Sequence, residues 1–312
     1  MRADLLLVER GHAASRSQAQ RLIAAGVRWR EADRPWKLIA KNGDELPPEA
    51  ELEFGDTAEA RYLSRGGLKL EGALTDTALN VAGWFCLDLG QSTGGFTDCL
   101  LQRGAARVVG IDVGQGQLHP KLRLDTRVVC IESVNARSLT PEEFWAHHDR
   151  ASGQPADEPH PLFDLLVADV SFISLTLLLP AMVELLRQGG HALMLVKPQF
   201  ELQPGQVGKG GIVKDASLFA DVEKRLRDCC AELGLQVQAW FDSPIEGGDG
   251  NREFFIHALR VGQAPDRTPA ENVSRSPASR RTPRTRRRQP DEQEQRAAHE
   301  GQPGPARRKR KP

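Results

Sequence analysis

Lys69 in SRGGLKL, Asp169 in VADVSF, Lys197 in LVKPQF and Glu253 in GNREFF are four charged residues beside apolar runs. Singly, each reads as an exposed charge at the end of a strand. Together they alternate lysine and carboxylate. Such a set serves a reaction that must take a proton from a weak nucleophile, or stabilise an anion forming there. Open α/β sheets hold their ligands outside the carboxyl ends of the strands. Asp169 and Lys197 stand at two such ends, Glu253 starts the final strand, and Lys69 precedes the whole unit and could fold over the same edge.

A second stretch, DLGQSTGGFTD from Asp88 to Asp98, reads as a strand end, a glycine turn and a helix start. It is not a dinucleotide fingerprint, which needs Gly-x-Gly-x-x-Gly, because Gly90, Gly94 and Gly95 have another spacing. A phosphate loop fails as well, since GQVGKGG lacks the Gly-Lys-Ser/Thr step. A dehydrogenase is thereby disfavoured. A looser Asp-x-Gly turn followed by an acidic residue about twenty positions on suits a nucleoside ligand with a cationic head. Asp112, closing RVVGIDVG, is the carboxylate for ribose hydroxyls. S-adenosylmethionine has a ribose and no pyrophosphate, so it fits without a phosphate-wrapping turn.

These residues need a scaffold, and the pattern supplies one. FCLDLG, RVVGIDVG, RVVCIES, FDLLVADVSF and HALMLVKPQF read as apolar strands. GGFTDCLLQRG, LTLLLPAMVELLRQ and ASLFADVEKRLRDCCAELG read as helices between them. That alternation predicts an α/β fold with a mainly parallel sheet covered on both faces. The last two strands, LQVQAWF and REFFIHALRV, share a short connection and should pair antiparallel. Ahead of them lies a small α+β unit. ADLLLVER is a helix capped by Gly11, and SRSQAQRLIAAG is a second with Ser15 as its cap and Ala19, Leu22 and Ile23 inside. Arg16, Gln20 and Arg21 lie largely off that stripe and could reach phosphates. The predicted organisation is 1–60, a small α+β unit; 61–82, a linker that carries Lys69; 83–261, an α/β domain; and 262–312, a basic tail.

The chain has 312 residues and a formal net charge of zero, and that zero conceals an asymmetry. From Gly262 onward there are fourteen Lys+Arg against six Asp+Glu, so the tail is basic and the body mildly acidic. The tail lacks Leu, Ile, Phe, Trp, Tyr, Met and Cys, so it is expected to be disordered and suited to a polyanion. Cys86, Cys99, Cys130, Cys229 and Cys230 form no CxxC pair, which fits a reducing cytoplasm. No uncharged stretch is long enough to span a bilayer. AHHDRASGQPADEPH reads as an exposed loop, and its three histidines match no metal-ligand spacing, so no metal is expected.

The set SRGGLKL, STGGFTDCLLQRGA, DVGQGQL, KLRLDTRV, NARSL, ADVSFISL, VKPQFE and GNREF resembles the TlyA (hemolysin A) family of ribosomal-RNA methyltransferases, from Arg2 to about Leu259. LLLVERGHAASRSQAQRLIAAGVRW resembles an S4-like RNA-binding domain, with Trp29 where a second valine is usual and without an Asn-Gly turn. The resemblance implies an S4-like domain joined to an FtsJ-type, Rossmann-like S-adenosylmethionine-dependent methyltransferase fold. It implies methylation of cytidine 2′-hydroxyls in ribosomal RNA, with ribosomal subunits as partners. It further implies a Lys69–Asp169–Lys197–Glu253 catalytic set. Asp88, Gly90, Ser92, Thr93, Gly94, Gly95, Phe96, Asp112 and Val113 would then face the cofactor. Asn135 could touch the adenine or cap a helix. Arg65, Lys209 and Lys214 join Arg16, Gln20 and Arg21 as RNA contacts. Gln91 stands where alanine is usual, and in LHPKLR no aromatic precedes the lysine. Lys197 is expected nearest the 2′-hydroxyl, either as a neutral base or as an ammonium stabilising the oxyanion. Two other readings are a non-catalytic ribosome-assembly factor that kept the fold, and a membrane-active hemolysin, which no amphipathic or spanning segment supports.

Overall fold

The computed structural model describes residues 1–13, 15–55, 61–153, 160–248 and 250–262. All but the first residue of the predicted disordered tail lies outside the described residues, as do residues 56–60 at the end of the predicted 1–60 unit.

The first elements are helices Ala3–Glu9 and Arg16–Gly26 and the short strands β1 (Arg28–Arg30), β2 (Lys37–Leu38) and β3 (Glu51–Glu53). Ser15 is extended and its side chain accepts from the Gln18 amide, which starts the second helix as its spacing predicts. The three strands form an antiparallel sheet ordered β2-β1-β3. Ala3, Leu6, Leu7, Ala19, Leu22, Ile23, Ile39 and Leu46 bury a small core of their own beneath it.

The larger sheet has seven strands: β4 (Phe85–Leu89), β5 (Arg107–Ile111), β6 (Val128–Ile131), β7 (Phe163–Ala168), β8 (Leu186–Val196), β9 (Leu235–Asp242) and β10 (Phe254–Arg260). Their order is β6-β5-β4-β7-β8-β10-β9. The first five strands pair parallel, and β10 runs antiparallel between β8 and β9. Alternate residues of the apolar strands feed two cores. Leu87, Val109 and Leu166 face one with Phe144, Leu178 and Val222. Cys86, Val108 and Leu165 face the other with Leu70, Leu74, Phe96 and Leu100. That period-2 division is why the strands read as continuous apolar runs.

The chain steps outward from β4 to β5 and β6, then returns to place β7 on the other side of β4. The carboxyl ends of β4 and β7 therefore flank the crevice where strand order reverses, the usual ligand position in such sheets.

Two expectations are corrected. The helix expected over LTLLLPAMVELLRQ covers only Leu175–Met182; a 3-10 turn follows at Val183–Leu185, and β8 already begins at Leu186. Pro180 inside that helix donates no amide hydrogen bond, and Leu186 pairs with Phe163 of β7 instead. The expected exposed loop from Ala146 is helical through Ser152. Helix Pro141–Ser152 starts on a capping box of Thr140 and Glu143 and stops at Gly153 with φ 71°. Trp145 and the buried Phe144 anchor it, and this apolar pair outweighs the polar composition around it. Among the described residues no helix is long and apolar enough to cross a membrane.

Candidate active site

The turn after β4 is held from below by the strands. Gly90 has φ 80° and donates its amide to Ile111 O at 2.9 Å. A Cβ on Gly90 would stand 2.8 Å from the Asp169 carbonyl, so only glycine lets β4 and β7 open there side by side. Gly94, at φ 92°, opens helix Gly95–Gln102, and a Cβ there would strike Leu122.

Asp112 closes β5 and braces this turn. Its Oδ2 accepts from the Ser92 amide at 2.8 Å and its Oδ1 from the Gly114 amide at 2.7 Å. Lone pairs of both oxygens remain for a further donor. Beside it is a cavity of about 300 Å³, lined among others by Leu89, Gly90, Ser92, Asp112, Val113, Asn135, Asp169 and Phe172. That size suits a small-molecule site. A smaller cavity of about 180 Å³ adjoins it, with Ser64, Gly66, Thr93, Gly95, Phe96 and Lys197 in its walls. Gly90, Ser92, Asp169 and Ser171 belong to both.

The four charged residues resolve into two pairs. Lys69, on helix Arg65–Asp76, meets Glu253 with Nζ 2.5 Å from Oε2, and both side chains are buried. Lys197 Nζ lies 2.7 Å from Asp169 Oδ1, outside hydrogen-bond angles, and donates to Ser171 Oγ at 2.9 Å. Sheet register brings the pairs to one edge. Val196 pairs with Phe254, so Lys197 and Glu253 are the next residues on neighbouring strands, while Asp169 ends β7 on the other side of β8. Helix Arg65–Asp76 packs over this edge, with Gly66 so placed that a Cβ would lie 3.4 Å from Asp169 Oδ2. Lys69 and Glu253 line neither cavity; the Asp169–Lys197 pair does.

Several expected cofactor contacts have other places. Asp88 is fully buried and lines neither cavity. Its Oδ2 accepts from Thr97 Oγ1 at 2.6 Å, and Thr97 in turn accepts from Gln91 Nε2 at 2.9 Å. Burial pushes the Asp88 carboxyl up to about 7. The period-2 pleat turns Asp88 to the face of Cys86, away from the crevice. Gly94 is likewise packed against Leu118 and Leu122. Asn135 caps the 3-10 turn Ala136–Ser138 and also lines the larger cavity.

Among the residues expected to meet phosphates, Arg16 and Gln20 turn to Asp4, at 2.9 and 3.4 Å from its Oδ2. Asp4 is fully buried, and a buried carboxylate requires such partners. Hydrogen bonds from Arg2 and Arg16 hold it well below the usual carboxylate range. Arg21 donates to Ser17 O and Arg65 to Glu246 O. Lys209 and Lys214 are exposed between β8 and helix Leu218–Glu232.

Phe172 escaped the sequence reading. It is 90% exposed, takes φ 65°, leans on Phe200 at 5.0 Å between centroids, and forms part of the larger cavity wall. A bulky residue in the left-handed region is a strained one, and such strain gathers at binding sites. Its signal was an aromatic placed just past a strand-end aspartate, outside the apolar period.

The family model described as FtsJ-like methyltransferase matches residues 62–260. The "16S/23S rRNA (cytidine-2'-O)-methyltransferase TlyA" of Mycobacterium tuberculosis is 44% identical over 258 residues, covering 82% of this chain and 88% of its own. "Hemolysin A" of Brachyspira hyodysenteriae is 37% identical, covering 83% and 100%. A solved structure named "Putative hemolysin from Streptococcus thermophilus" superposes with a TM-score of 0.62 at 37% identity, covering 86% of this chain and 92% of that one.

Proposed function

Because this chain belongs to the FtsJ-like methyltransferase family, with TlyA proteins among its relatives, we propose that it methylates cytidine 2′-hydroxyls of ribosomal RNA from S-adenosylmethionine. The observation that carries this reading is the wall shared by the two cavities. Asp169 stands in both, with Asp112 on one side and Lys197 on the other.

The residues fit the donor. Asp112 takes the ribose hydroxyls, and Asn135 with Phe172 borders the adenine end. Gly90 and Ser92 line both cavities and so border the donor where it meets the smaller one. The bound donor supplies a methyl group already activated by positive sulfur. What remains for the protein is alignment and the proton.

Lys197 holds the ribose 2′-oxygen at the smaller cavity. Asp169 and Ser171 orient its amino group, which either accepts the hydroxyl proton as a neutral amine or, as an ammonium, offsets the developing negative charge while the proton passes to Asp169 or water. Lys69 and Glu253 are positioning residues: their buried pair locks helix Arg65–Asp76 against β10 and so sets the roof of the smaller cavity. Arg65, Lys209 and Lys214 offer positive charge to RNA phosphates, and the helices and small sheet at residues 1–55, with Arg21 on the second helix, act as an S4-like RNA-binding domain.

The test is methyl transfer from labelled S-adenosylmethionine to ribosomal subunits, with modified riboses mapped as sites resistant to alkaline cleavage. Resistance at a cytidine, dependent on the protein, is expected. Label appearing only on bases, or none at all, rejects the proposal.

A further inference from the structure

Three potential metal ligands meet at the end of the sheet opposite the methyltransferase site. Helix Pro141–Ser152 runs between β6 and β7, and Trp145 stacks on Phe85 and Phe163, the first residues of β4 and β7. His148 and Asp149 lie near the end of that helix, and His160 stands three residues before β7. Asp149 Oδ1 is 3.0 Å from His148 Nδ1 and 3.1 Å from His160 Nε2. One ligand atom from each residue fits within 4.8 Å of the others.

We propose that His148, Asp149 and His160 form a binding site for one divalent transition-metal ion of the zinc type, clipping the end of helix Pro141–Ser152 to the segment leading into β7. Zinc bonds to nitrogen and oxygen of about 2.0–2.1 Å in a tetrahedron imply ligand separations of roughly 3.3 Å. The two separations through Asp149 are already close to that. A solvent molecule completes the fourth position, as in three-ligand zinc sites.

The ligands are preorganised. The His160 ring lies flat on Trp145, 4.2 Å between centroids and 6° from parallel, and the His148 ring meets Trp145 edge-on at 5.1 Å. Their side chains are only 2%, 9% and 14% exposed for His148, Asp149 and His160. His148 Nε2 is buried with no partner, so this ring is not fastened by hydrogen bonds at both ends. Two imidazoles and one carboxylate, with no thiolate, select zinc-like ions over copper(I), magnesium or calcium. The linear spacing concealed this, because helix and strand ends bring the residues together.

The test is isothermal titration of the full chain, freed of metal by chelator, with zinc chloride and with magnesium chloride. One zinc ion per chain should bind and magnesium should not. Asp149→Asn and His160→Gln should each weaken zinc at least about tenfold, the loss that even an outer partner of a metal site causes. His160 is the least buried of the three, so His160→Gln keeps the test open should Asp149→Asn misfold, as circular dichroism reports. Cobalt substitution should give the strong visible bands of a tetrahedral ion. Absence of zinc binding, or binding unchanged in His160→Gln, overturns the proposal.

Discussion

Lys69 Nζ and Glu253 Oε2 are 2.5 Å apart although 184 residues separate them in the chain, and their side chains are only 10% and 3% exposed. A pair so buried is held by mutual neutralisation. Removing one partner strands the other charge, at a cost of about 3–5 kcal/mol, whereas removing both does not. Lys69→Met and Glu253→Gln should each lower stability in urea unfolding by an amount of that order. The double variant should lose much less than the two together. Methyl transfer should stay low in all three, because the roof of the smaller cavity has lost its lock. Strictly additive losses would argue that the two side chains are not coupled.

Lys197 gives the sharpest catalytic prediction. It lines the smaller cavity but not the larger. Lys197→Ala should slow methyl transfer by about 10²-fold or more, the usual contribution of a positioned acid–base group. Donor affinity, measured by equilibrium dialysis, should stay close to wild type. Rapid turnover in that variant removes Lys197 from the reaction.

The seven strands were largely legible because most are near-continuous apolar runs, while β9 interleaves Gln236 and Gln238 with apolar residues. Asp169, Lys197 and Glu253 were legible for the same reason, standing where those runs stop. Asp88 was misplaced among the ligand contacts: a strand-end carboxylate reads the same whether the pleat turns it to the crevice or to Thr97. Arg16 and Gln20 looked free on a helix face, since nothing local announces that Asp4 is buried against them. Phe172 was missed because left-handed backbone has no signature in a residue other than glycine or asparagine. The helix carrying His148 and Asp149 is hidden in the sequence because polar residues surround its one aromatic pair, whereas His160 does lie outside regular structure.

Asp112 should govern the donor alone. Its carboxylate accepts two backbone amides and borders the larger cavity. A hydrogen bond to a charged group contributes about 1.5–3 kcal/mol, so Asp112→Ala should weaken donor binding roughly tenfold to a hundredfold. At saturating donor the rate should recover much of its value. A variant with normal donor affinity would place the ribose elsewhere.

Phe172 separates stability from recognition. Its left-handed backbone costs on the order of 1–2 kcal/mol, which glycine does not incur. The exposed ring contributes little to the core. Phe172→Gly should therefore stay within about 1 kcal/mol of wild type in urea unfolding. An aromatic face at the adenine end of the larger cavity is suited to stack on that base, worth about 1–3 kcal/mol. The same variant should raise KM for S-adenosylmethionine by roughly fivefold or more. An unchanged KM would make the strain purely structural.

Asp88 sets a pH dependence whose sign is opposite to that of most carboxylates. Burial raises it to about 7 in the folded chain, against 3.8 for the ordinary group. Between these values the folded state keeps a proton that the unfolded state has released. Stability from this residue is thus present in acid and is lost as pH rises from about 4 to about 7, with a slope of at most about 1.4 kcal/mol per unit. Asp88→Asn carries no ionisable group there and lacks that slope. Urea unfolding of both proteins between about pH 5 and pH 8 should show the asparagine variant gaining on the wild type up to neutrality and then keeping a constant offset. Parallel stability curves across that range would mean that Asp88 ionises normally within the core.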